Sequence, residues 1–181
     1  MMLRIKELKL KKIECKEDLI EAIKNYKKKS LVETSPIFFD TETTGLNIKY
    51  DTPFLLPWGF VCKDVAYIYC VDIDNDEHLF KQTAQAIIEL AKTSALVGHN
   101  IKFDLHMLNN VGIDTPDEVY YRDTMILIRL AHDALTPENG GPPLGLKEYA
   151  SKYIDRNAKD NERLVKEERK NIAKEYNKAL K

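Results

Sequence analysis

Residues 35–45, SPIFFDTETTG, decide how the chain is read. A short apolar run rich in phenylalanine lies between Pro36 and the turn signal Thr43-Thr44-Gly45, which predicts a central buried strand over 37–41. Asp40 and Glu42 follow, one residue apart. Side chains on a strand alternate faces, so both carboxylates point the same way, toward whatever meets the end of that strand. Like charges held close repel, and one takes up a proton unless a cation lies between them. Magnesium and manganese are hard ions that take oxygen ligands and keep waters free for phosphate oxygens. The pair therefore reads as half of a divalent-metal site.

The rest of the chain bounds this reading. With 181 residues, 44% hydrophobic and 31% charged, there is length for one well-buried domain. Lysine and arginine number 28 against 29 acids, a net charge of -1, so nucleic acid would be held by local charge or by metal ions. Cys15, Cys62 and Cys70 show neither CxxC spacing nor a neighbouring histidine pattern, which points to a reducing compartment rather than a disulfide framework or zinc site. The basic N-terminus lacks a signal-peptide core and no stretch reaches membrane-spanning length, so the expected setting is the cytoplasm, without a membrane partner.

Apolar periodicity supplies the other elements. Residues 3–13 alternate weakly like a strand, and 16–29 have helical spacing. Two β-rich runs, 59–62 and 65–71, meet at Lys63-Asp64 as a tight hairpin. A helix over 77–93, a strand ending at Gly98, and a helix stopped by Gly112 follow. EVYY, 118–121, predicts a further strand, and Asp123 the cap of a deeply buried helix. Residues 146–154 read as a short amphipathic helix, and 155–181 as a charged C-terminal helix with a thin apolar stripe. Three antiparallel strands, then alternating helices and parallel strands, describe an α/β fold with a mixed, ribonuclease-H-like sheet. The expected domain covers 1–154, residues 1–14 being an N-terminal extension.

A third acid from another element would complete the site, and VGHNIKFDLHML offers Asp104 on the first turn of a helix leaving a strand. Helix N-termini are electropositive and receive anions and phosphates. FFDTETTGLN, then LVGHNIKFDLHML, RDTMILIRLAHD and LGLKEYASKY, together resemble the 3′-to-5′ proofreading exonuclease of the DEDD superfamily, in the form carried by phage and bacterial family A DNA polymerases. The resemblance covers about 17–154. It implies that Asp40, Glu42 and Asp104 ligate two Mg2+ or Mn2+ ions, that Glu42 also lies near the attacking water, and that the substrate is the single-stranded 3′ end of DNA. It further implies that Thr44 and Leu46 lie against the terminal nucleotide, Leu46 as a wedge, and that Asn100 and Phe103 line the strand's path. His99 reads as a packed or hydrogen-bonded residue rather than a base.

The superfamily draws a fourth acid from Tyr-x-x-x-Asp or His-x-x-x-x-Asp. None of the nine tyrosines has an aspartate four residues on, and among the four histidines only His99 has one five on, which is Asp104 itself. The resemblance thus implies a chain cut short before the third motif: a piece of a longer or split polymerase completed by another domain or polypeptide, or a relic of the fold. Weak or absent hydrolysis by the isolated chain is expected. Two other readings stay open, a catalytically silent module that binds DNA or a partner, and a ribonuclease on the same fold.

Overall fold

Strand, helix and loop follow from the same sequence signals in the computed structural model, which describes residues 5–31, 35–132 and 137–157. The elements are β1 (Glu7–Lys12), α1 (Lys16–Ser30), β2 (Ile37–Phe39), β3 (Glu42–Thr43), β4 (Pro53–Cys62), β5 (Val65–Asp72), α2 (Glu77–Ala91), β6 (Ala95–Gly98), α3 (Ile101–Asn110), β7 (Tyr120–Asp123), α4 (Thr124–Ala131) and α5 (Leu146–Tyr153). The chain divides into two units, Met1–Thr124 and Met125–Lys181.

The first unit holds the sheet, in the order β1-β5-β4-β2-β6-β7, with β3 paired to β4. β2, β4 and β5 are antiparallel neighbours, whereas β6 runs parallel to β2 and β7 parallel to β6. This is the expected mixed α/β sheet of a ribonuclease-H-like fold, with β1 added parallel to β5 at its edge. Lys63, with φ 57°, makes the tight turn between β4 and β5.

Phe39, Trp58, Phe60, Tyr69 and Val71 belong to one buried cluster with Leu19, Ala22 and Tyr26 of α1 and Phe80, Ala84, Ile87 and Ala91 of α2. The Tyr26 ring meets Phe60 edge-on at 5.1 Å, and Trp58 stacks on Tyr69 at 4.8 Å. Burying a side chain such as Phe80 contributes roughly 2–3 kcal/mol before ordering costs. α2 starts where Asp76 accepts the Leu79 N–H at 2.9 Å, a cap that satisfies one of the free donors of the first turn. The other faces of these strands are barer. Register sets Leu10, Ile68, Gly59 and Phe38 side by side across β1, β5, β4 and β2, and Leu10 and Phe38 are exposed.

Three local expectations change. β4 starts at Pro53 rather than Gly59, because its first half pairs with both β3 and β5. The strand predicted at 118–121 is β7, and Asp123 closes it. In the second unit α4 is not deeply buried: Ile128 is covered, while Ile126, Leu127 and Leu130 are exposed. A short helix that is apolar all round buries only the side that meets a neighbour. In that unit His132, Tyr149 and Tyr153 cluster, the two tyrosine rings 4.7 Å apart. The helix expected beyond Asn157 lies outside the described residues.

Candidate active site

Pro57 shapes the end of β2. A strand residue's N–H and C=O point the same way, so where Pro57 O accepts the Asp40 N–H at 3.1 Å there is no N–H to return. β2 stops at Phe39, Asp40 and Thr41 leave the ladder, and pairing resumes with β3, where the register shifts between Glu42 and Thr43. Bulges of this kind re-aim side chains. The strand expected to run through Thr41 is thus two residues shorter, for a reason lodged in its neighbour.

Exposure still alternates across the break: Asp40 and Glu42 are exposed, and Thr41 between them is buried. Thr41 faces inward, and its N–H and Oγ1 both donate to Asp104 Oδ1, at 3.0 and 2.6 Å. Asp104 lies in the first turn of α3 and is only 2% exposed. Burial raises its carboxyl to about 7; the Thr41 hydroxyl bond opposes that rise, and the charge of Asp40 adds to it. Asp40 and Asp104, 64 positions apart in the sequence, therefore feel each other's charge. Oxygen donors of this type suit a hard divalent cation, whose charge would return Asp104 to its ionised form. Among the described residues no group of three His, Cys, Asp or Glu side chains is placed to hold one ion.

The strand ends around these acids are also pinned. Asn100 enters α3 in a left-handed conformation, φ 59° and ψ 44°, and its N–H donates to Asp123 Oδ1 at 3.0 Å. Asparagine tolerates that conformation better than most residues. The Asp123 carboxylate thus serves the start of α3, an element its sequence position did not suggest. His99 Nδ1 lies 2.9 Å from Thr124 Oγ1, whose own proton goes to Gly98 O at 3.1 Å, so Nδ1 carries the proton of that contact. Asn100 is exposed and Phe103 half-buried. Leu46 is 85% exposed, and the Thr44 hydroxyl donates to Asp51 and accepts from the Thr52 N–H.

A trough of about 300 Å³ runs past Phe38, Gly59 and Ile68 to Asp40, the one charged residue among the described residues of its lining. Thr41 is the residue that reading the sequence missed. The signal was present, because alternation that turns two acids outward turns the residue between them inward.

The 3′-5′ exonuclease family model matches residues 10–178. No curated protein matches the sequence. Among solved structures, RNase D from Trypanosoma brucei in complex with RNA U12 aligns with a TM-score of 0.55 at 14% identity, over 83% of this chain and 48% of that one. NrnC from Brucella melitensis aligns with a TM-score of 0.50 at 18% identity, over 85% of this chain and 62% of its own. The chain therefore spans less than two thirds of either neighbour. At such identity these alignments speak for the fold, and the fold agrees with the family match. With a family model that spans nearly its whole length, and DTE and NIKFD acids brought to one end of the sheet, the chain belongs to the DEDD-type 3′-5′ exonuclease family.

Proposed function

We propose that the chain is the metal-dependent exonuclease domain of a DNA polymerase and removes nucleotides from the 3′ end of single-stranded DNA. The observation that carries this reading is the pair of hydrogen bonds from Thr41, the residue between Asp40 and Glu42, to the buried Asp104. Asp40, Glu42 and Asp104 supply the carboxylates for Mg2+ or Mn2+, two ions in a complete site. When bound, such ions stabilise charge on the phosphoryl oxygens and lower the pKa of a bound water. Thr41 directs both of its hydrogen bonds to Asp104 Oδ1. Glu42, exposed beside Asp40, is the base that orients the water. Leu46 wedges against the terminal base, Thr44 lies beside it, and Asn100 and Phe103 flank the strand.

Since no Tyr-x-x-x-Asp or His-x-x-x-x-Asp supplies a fourth acid in this sequence, the isolated chain hydrolyses weakly, and a further domain or polypeptide raises its rate. RNA is the second substrate reading, favoured by the RNA held by the trypanosomal RNase D. The test is incubation of a 5′-labelled single-stranded DNA, and of the same sequence as RNA, with Mn2+ and with chelator, beside Asp40→Ala. Metal-dependent shortening from the 3′ end that Asp40→Ala abolishes supports the proposal, and the faster strand names the substrate. Binding without shortening in Mn2+ refutes it in favour of a silent module.

A further inference from the structure

Residues 44–52 form a loop tied at its neck: the Thr44 N–H donates to Thr52 O at 3.0 Å, and the Thr52 N–H to Thr44 Oγ1 at 3.2 Å. Its hub is the Asp51 carboxylate. Oδ1 accepts the Thr44 hydroxyl at 3.0 Å, and Oδ2 accepts the Asn47 N–H at 2.7 Å. Asn47 Oδ1 accepts the Lys49 N–H, and its backbone oxygen accepts those of Tyr50 and Asp51. Gly45 is needed against this hub, because a Cβ there would come within 2.5 Å of Asp51 Oδ2. From outside, Asn110 Nδ2 donates to Ile48 O at 3.0 Å and to Asp51 O at 2.8 Å. Asn110 ends α3, so the helix that carries Asp104 also braces the loop.

The loop is polar within and apolar without. Leu46 is 85% exposed, Tyr50 81% and Ile48 45%. Compact loops of this size are ordinarily packed by their own side chains. Here hydrogen bonds fix the backbone, and the apolar side chains of Leu46 and Tyr50 stand largely in solvent. They are presented on a rigid support that follows Glu42 and Thr43 directly, with the Thr43 hydroxyl bonded to Gly45 O at 2.6 Å. Lys49, between Ile48 and Tyr50, is an exposed cation.

We infer that Tyr50, with Ile48 beside it, is a stacking platform for unpaired nucleobases upstream of the strand end that the acids engage. The nature of that strand rests on the nuclease reading above. Every base has a π-face, so an aromatic ring with an aliphatic neighbour binds bases without sequence preference, and Lys49 suits the intervening phosphate.

The test is fluorescence anisotropy of a labelled twelve-nucleotide thymidylate strand, and of an abasic strand of equal length, both in chelator so that nothing is cleaved. The proteins are the full chain, Tyr50→Ala, Tyr50→Phe and Ile48→Ala. Tyr50→Ala is expected to weaken binding of the thymidylate strand about tenfold and leave the abasic strand unchanged; Tyr50→Phe restores binding, and Ile48→Ala lies between. Equal binding of thymidylate by Tyr50→Ala and parent overturns the platform, as does an equal loss on both strands, as does no binding by the parent. The nuclease reading is scored separately by metal-dependent shortening in the parent. The platform therefore stands if stacking is found without cleavage, and falls if cleavage is found without stacking.

Discussion

Asp104→Asn is expected to make the metal-free protein more stable, although it removes a candidate ligand. In the folded chain the Asp104 carboxyl lies at about 7. In the unfolded chain it lies near 3.9, and the gap corresponds to roughly 4 kcal/mol of disfavoured ionisation, an upper figure because structure and water relax around a charge. The sign follows from linkage. A raised folded value means that the native state binds the extra proton, so this contribution is whole below about pH 4, declines as pH rises toward 7, and is gone above it. Asparagine keeps an oxygen for both Thr41 donors and carries no charge. Parent and variant should therefore be alike near pH 4, and the variant should lead by about 2–4 kcal/mol at pH 8, near 10 °C in Tm for a chain of this size. The assay is thermal and urea unfolding in chelator across pH 4–9. Trp58, the only tryptophan and stacked on Tyr69, reports the unit that contains Asp104. Other groups titrate in this range, and the difference between the two proteins cancels them. A variant no more stable than the parent at pH 8, or a difference flat with pH, refutes the argument. Mg2+ added at pH 8 should stabilise the parent and not the variant, since a ligand that binds only the folded state stabilises it by mass action.

Thr41→Val keeps the side chain's shape and the backbone N–H but deletes the 2.6 Å hydroxyl bond to Asp104; a loss of about 1.5–3 kcal/mol at pH 8 is expected in urea unfolding, largely restored in Thr41→Ser. Phe80, with no exposed surface, should cost about 3–5 kcal/mol on truncation to alanine by the same measurement. Asp76→Ala removes the cap of α2 and should cost about 1 kcal/mol, visible as faster amide exchange in the first turn of that helix.

Local chemistry made much of this fold legible. Apolar spacing in 77–91 needs no partner to read as a helix, and a short phenylalanine-rich run between Pro36 and a Thr-Thr-Gly turn reads as a central strand wherever it folds. The mixed sheet followed from the order of such elements, since antiparallel neighbours connect tightly and parallel ones through helices. The two outward acids of DTE were equally plain, because alternation along a strand is a local property.

What the chain could not disclose is whatever depends on a neighbour far off in sequence. β2 ends at Phe39 because of Pro57, and Asp104 is held by Thr41 from 63 residues away. Asp123 accepts the Asn100 N–H at the start of α3, a partner its position did not suggest, and Asn110 ties α3 to a loop 59 residues earlier. Each is a hydrogen bond or a missing donor between elements that periodicity treats one at a time. The sequence by itself determined which acids exist and which way two of them face. The burial that raises the third, and the polar hub that turns Tyr50 outward, were decided only when the sheet and α3 came together. Desolvation and long-range hydrogen bonding are properties of the packed chain and of no segment within it.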